Sequence, residues 1–189
     1  VHKYYNNLLN NPAKLTDYPT NPNVAMVAGF MCAPTDEEAM AKASGWTFFV
    51  FALSYYGRKG VDAPGTSDLW REYQSWRGGP EEKKALEAGV VGSPETIRRK
   101  LRRFQSSNID QVVLLNQAGK NSHEHICESL ELFAQEVMPE FQAAHPQLLQ
   151  WKQQVLNREI ELEEIDVTPH MSRVGVGKGV TIDKLVANG

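Results

Sequence analysis

The sequence is poor in cysteine, with Cys32 and Cys127 alone among 189 residues. That excludes a disulfide scaffold, and a reducing cytoplasm is the simpler setting. A large excess of one charge is also missing. Lys and Arg number 20 against 23 Asp and Glu, a formal net charge of -3. A strongly basic nucleic-acid binder is therefore disfavoured, and no nucleic acid is expected as a partner. Long hydrophobic runs are lacking too. Residues 43–57 carry no Asp, Glu, Lys or Arg, but this stretch has only 15 residues. A membrane helix needs about 20, so no membrane span is expected. No charged-then-apolar leader opens the chain, so no signal peptide is expected, and Val1 at the first position suits processing or a fragment. Hydrophobic residues make up 41% and charged residues 23%. That composition is globular and excludes disorder throughout, and the length suits about one domain.

Hydrophobic patterning supplies the order of elements. Residues 1–15 show helical spacing at Tyr4, Leu8 and Leu15, and residues 16–23 form a loop with Pro19 and Pro22. The apolar run at 24–33, bounded by Pro22 and Pro34, predicts a strand buried on both faces. Thr35 or Asp36 caps a helix running to Tyr56, with Ala39, Ala43, Trp46, Val50 and Leu53 as its inward stripe. Residues 58–89 read as a polar insertion in which Trp70 and Trp76 pin a short helix. Ser93 and Pro94 start the next helix, with Ile97, Leu101 and Phe104 inward. A second buried strand starts at Val112, followed by the exit loop 117–121. A helix over 123–141 turns Ile126, Leu130, Phe133 and Val137 inward, and Pro139 ends it. The His145-Pro146 pair breaks the pattern ahead of a short helix around Trp151. Acids then alternate with Ile160, Leu162 and Ile165, and a glycine-rich extension follows. Strands alternating with helices predict an α/β fold with a parallel sheet. Two strands leave edges and helix faces open, so these residues read as part of a larger assembly, not a self-sufficient monomer.

Several motifs fall short of their templates. Gly175-Val-Gly-Lys-Gly lacks the spacing of a phosphate loop, and its glycines read as a tail. His123-Glu-His-Ile-Cys places Cys127 where a zinc helix has its second histidine. No other ligand cluster is evident, and a metal site is not expected. The basic run 98–103 reads as a solvated helix face with Glu95 at one-turn spacing. Tyr55 and Tyr56, ending an aromatic helix ahead of the insertion, are the better site candidates of that stretch.

Taken in order, these segments resemble the C-terminal end of bacterial-luciferase-like flavin-dependent monooxygenases. The residues that carry the resemblance are Pro34-Thr-Asp-Glu-Glu-Ala39, Tyr55-Tyr-Gly57, Pro64-Gly-Thr66 with Trp70, and Val91-Gly-Ser-Pro-Glu95. To these are added Asp110-Gln-Val-Val113, Gln117-Ala-Gly-Lys-Asn121, His123-Glu-His-Ile-Cys-Glu-Ser-Leu-Glu-Leu-Phe-Ala134 and Glu136-Val-Met-Pro-Glu-Phe141. The resemblance covers about residues 1–141 and leaves 142–189 as a C-terminal extension. It implies a (β/α)8 TIM barrel, with residues 24–32 as the seventh strand and 112–116 as the eighth. The first six strands would have to come from outside these residues, as the rest of the barrel or another chain.

Barrel sites lie at the C-terminal ends of the strands. The resemblance therefore implies a flavin, reduced FMN or alternatively a deazaflavin (coenzyme F420), near Asn116, Gln117, Gly119, Lys120, Asn121 and His123. It places a small organic substrate near Cys32, Tyr55, Tyr56, Arg58 and Arg71, with 58–89 as a lid. These assignments follow from position, and no catalytic residue is singled out. The reading is a flavin-dependent oxidoreductase portion, cytoplasmic and homo-oligomeric. The alternative is a non-catalytic truncated homologue acting as a flavin-binding or protein-interaction module.

Overall fold

A computed structural model describes residues 1–14, 16–59, 65–116, 121–166 and 168. Its centre is a three-stranded parallel sheet in the order β2-β1-β3. Here β1 is Ala25–Cys32, β2 is Val90–Gly92 and β3 is Gln111–Leu115. The two apolar runs are thus adjacent parallel strands, as expected. Their pairing runs from Ala25 opposite Gln111 to Gly29 opposite Leu115. The third strand, β2, was not expected. It pairs only with Phe30, Met31 and Cys32, at the C-terminal end of β1. Each half of β1 therefore has its ladder partner on a different side.

The helices are α1 (His2–Asn10), α2 (Asp36–Lys42), α3 (Ser44–Lys59), α4 (Leu69–Trp76) and α5 (Pro80–Ala88), followed by α6 (Pro94–Gln105), α7 (His123–Glu136) and α8 (Met138–Leu156). Side chains alternate across a strand, so β1 faces two cores. Ala28, Phe30 and Cys32 pack with Val90, Ile97, Leu101 and Val137 under α6–α8. Met31 packs on the other face with Val91, Ala33, Ala39 and Ala43, and with Trp46 and Leu86. The Trp46 indole lies over Gly29 and donates from Nε1 to the Ala85 carbonyl at 2.8 Å. This ring ties β1, α3 and α5 together.

Several expectations need correction. The sheet is not buried throughout: residues 25–27 of β1 are exposed, and Val27 and its register partner Val113 are 63% and 42% exposed. No element among the described residues covers that part of the face. The first helix stops at Asn10 and buries Tyr5, not Tyr4. The helix expected over 36–56 is two helices, interrupted at Ala43. That interruption shifts the helical phase, so α3 buries Thr47, Phe51 and Tyr55 and leaves Leu53 exposed. The 58–89 insertion is more than polar loop. Its helices α4 and α5 pack on α3, and Tyr73 is buried among Phe48, Phe51, Trp70 and Trp76. The 123–141 helix breaks at Val137, Leu130 is exposed, and α8 runs across the 141/142 boundary.

Pro146 lies inside α8, where the sequence suggested a break. It deprives the Gln142 carbonyl of a helical donor. Packing farther along holds the helix: Val155 is buried, and Trp151 meets the Tyr5 ring edge-on at 5.5 Å. The basic run is solvated only in part: Arg99 is exposed, Arg98 lies near Glu95, Glu136 and Glu140, and Lys100 turns inward to the carbonyls of Leu86, Gly89 and Val91. Arg102 grips Glu140 with two hydrogen bonds, at 2.7 and 3.0 Å. Among the described residues, no helix is long and apolar enough to cross a membrane.

Candidate functional site

Parallel strands bring their C-terminal ends to one side, and each here leads to a capped helix. Thr35 caps α2 by accepting from the Glu38 N–H, Ser93 caps α6 at Thr96, and Ser122 caps α7 at His125. Asp36 joins two of these starts. Its carboxylate accepts from the Ser93 N–H at 2.6 Å and from the Thr96 hydroxyl at 2.9 Å. The Ser93 backbone bond, ahead of the other influences, holds the Asp36 carboxyl below the usual aspartate range. Gly92 beside it has φ +151°, and a Cβ there would lie 2.9 Å from Asp36 Oδ1 and 2.5 Å from Thr96 Cγ2. Ser129, buried on α7, accepts from the Cys32 N–H at 2.7 Å and fixes the end of β1 to that helix. Neither Asp36 nor Ser129 stood out as a site residue in the sequence.

Asn116 follows the last residue of β3 and is only 8% exposed. Its carbonyl accepts from Asn121 Nδ2 at 2.9 Å, and Asn121 Oδ1 accepts from the Gly45 N–H at 2.8 Å. Asn121 thus links the exit of β3 to the start of α3. It satisfies an N–H of the first helical turn, which has no partner within its own helix. The Asn116 amide nitrogen makes no hydrogen bond. Among the described residues it and the Tyr5 hydroxyl are the buried side-chain polar atoms without one. The Tyr5 hydroxyl sits at the other end of the sheet, beside Asp110, which pairs with Lys152 at 3.0 Å. Burial first, and the Asp110 charge second, push that phenol far above its ordinary range. A buried amide donor left unpaired costs about 1–3 kcal/mol, so an acceptor supplied by a ligand would offset a real penalty.

The structure gathers only part of the expected set. Asn116 and Asn121 are in contact, and His123 begins the next helix, exposed to solvent. Gln117, Gly119 and Lys120 lie outside the described residues. Cys32 does not face the strand ends. It is buried in the helix-facing core, which pushes its thiol up to about 11. Tyr55 is buried beside Phe51, and Tyr56 is 38% exposed. Arg58 donates from Nε to the Ser54 carbonyl at 3.2 Å. At about 1.5 Å of rise per residue, Tyr55 stands roughly 15 Å along α3 from the Gly45–Asn121 contact. Arg71 is exposed on α4, and its N–H bonds the capping Asp68. The Tyr and Arg candidates are thus not assembled around Asn116.

An apolar cavity lies elsewhere, between α6, β3 and α8. It measures about 470 Å³ and is lined by Phe104, Phe133, Met138, Phe141 and Leu148, with His145 among its polar groups. Among the described residues, no group of three or more His, Cys, Asp or Glu is placed to hold a metal. No family model matches the chain, and no curated protein does.

Proposed function

We propose that the chain is the C-terminal portion of a flavin-dependent oxidoreductase of luciferase-like barrel type, acting on a small organic substrate. The observation that carries this reading is the unpaired, buried amide donor of Asn116 at the end of β3. A flavin ring is rich in carbonyl and imine acceptors, and a neutral amide can meet them without a charge. Asn121 would hold the β3 exit in place, and Asp36 would fix the neighbouring helix starts. Bound flavin would supply the redox chemistry, and the chain's part would be to orient the ring and shield it from water. The sheet order supports the comparison in one respect. β1 and β3 are parallel neighbours, as two successive barrel strands would be.

The test is titration of the purified chain with FMN and, separately, with a deazaflavin, in oxidised and reduced forms. Saturable binding that weakens at least tenfold in Asn116→Leu supports the reading. No binding of either flavin, by the chain alone or by a complete barrel that carries it as its C-terminal part, removes it. The runner-up, a non-catalytic interaction module, rests on the exposed Val27–Val113 patch and on the outer edge of β3, which has no strand partner among the described residues. It gains if flavin does not bind while the chain self-associates and Val27→Lys abolishes that association.

A further inference from the structure

On the first turns of α7, His123 Nε2 and Cys127 Sγ stand 3.6 Å apart. Residues four apart share a helix face, so the backbone itself holds the two donors together. The spacing has a chemical meaning beyond a weak S–H···N contact. A tetrahedral zinc ion with Zn–S of about 2.3 Å and Zn–N of about 2.05 Å separates its sulfur and nitrogen donors by about 3.6 Å. The pair is therefore set at the bite of a soft divalent cation. His123 is exposed and Cys127 half-buried, so both are within reach from solvent. The described residues contribute no third ligand. A structural zinc site needs four.

We propose that His123 and Cys127 form one half of a zinc site that a second copy of this chain completes with the same two residues. Charge favours this composition, because two thiolates neutralise one divalent cation. Each Cys127 thiol loses its proton to solvent as its sulfur bonds the metal, and each imidazole binds neutral through Nε2. The surroundings suit a helix-to-helix contact. Leu130 lies on the same face as His123 and Cys127 and is 44% exposed. Glu124 and Glu128 flank the pair, and Lys42 holds Glu128 at 2.9 Å. The proposal does not depend on flavin binding.

The test uses the whole chain, reduced and stripped with a chelator, then titrated with Zn2+ and with Co2+ as a spectroscopic probe. The expected result is saturation at one metal per two chains, with a chelator-reversible doubling of mass by sedimentation. Bound Co2+ should show tetrahedral ligand-field bands and a thiolate charge-transfer band. His123→Ala and Cys127→Ser should each weaken binding at least 100-fold, and His125→Ala should leave it unchanged. Circular dichroism confirms that each variant is folded. Saturation at any other ratio, an unchanged mass, or a Co2+ spectrum without the thiolate band overturns the proposal.

Discussion

Replacing Gly29 with alanine tests how far the fold depends on one indole. A Cβ at Gly29 would lie 1.8 Å from Trp46 Cδ2 and 2.3 Å from Cγ and Cε3. These are atoms of a rigid ring, so the whole side chain must move. Retreat toward α5 is closed, because Gly89 leaves room only for the ring as it stands. A Cβ on Gly89 would itself be 2.8 Å from Trp46 Nε1. Movement also breaks the Nε1 bond to Ala85 and disturbs the stacking of Trp46 on Phe49. Overpacking costs about 1–3 kcal/mol and a lost hydrogen bond about 1 kcal/mol, so Gly29→Ala should destabilise by about 3 kcal/mol. With a urea m-value of about 2 kcal/mol/M, the unfolding midpoint should fall by about 1.5 M. Tryptophan fluorescence follows the transition. In a Trp46→Leu background the same substitution should cost under about 1 kcal/mol, since the clash is gone. Equal costs in both backgrounds would refute the argument.

Other outcomes follow from single contacts. Asp36→Asn should destabilise by about 1–2 kcal/mol, because its bonds to Ser93 and Thr96 weaken. The folded carboxyl lies below its unfolded value of about 3.9, so this contribution is full above that pH and lost as pH falls through the folded value. Urea midpoints of wild type and variant should therefore converge on acidification, and a constant gap would count against the assignment. Lys100 donates to the carbonyls of Leu86, Gly89 and Val91. Lys100→Met should cost about 2 kcal/mol in the same assay, and an unchanged midpoint would show that water satisfies those carbonyls. Titration with a thiol reagent should find Cys127 reactive in the native chain and Cys32 reactive only after unfolding, because burial pushes Cys32 up to about 11. Two equally fast thiols would contradict its place in the core.

What could be read in the sequence was what a local pattern carries. The apolar runs around Phe30 and Val113 announced strands, and Ser93-Pro94 announced a helix start, because burial and capping leave short-range marks. Three residues of β2 are too few to show a period. The interruption at Ala43 is marked in the sequence only by Ser44-Gly45, which the continuous apolar stripe around it outweighed, and Asn121, 76 residues on, bonds the N–H of Gly45 where α3 restarts. The exposed part of β1 was misread for a related reason: Val27 is apolar whether or not a neighbour covers it. Asn116 and Asn121 could be proposed as polar residues at a strand exit. The orphaned amide nitrogen, however, is a property of three-dimensional surroundings. Asp36 looked like an ordinary acid at a helix start, and its grip on Ser93 spans 57 residues.

The pairing of β1 with β3 also sets a timetable for synthesis. The Val24 N–H bonds the Asp110 carboxylate 86 residues later, next to the first rung of that ladder. At roughly 5–20 residues per second, β1 waits about 4–17 s for the strand that pairs most of its length. During that interval α3, α4 and α5 can pack on one another from local contacts, while residues 25–29 of β1 lack their ladder partner. Closing so long a loop is entropically costly and slow. The nascent chain therefore passes through a period in which this edge of β1 is open to pairing with other strands.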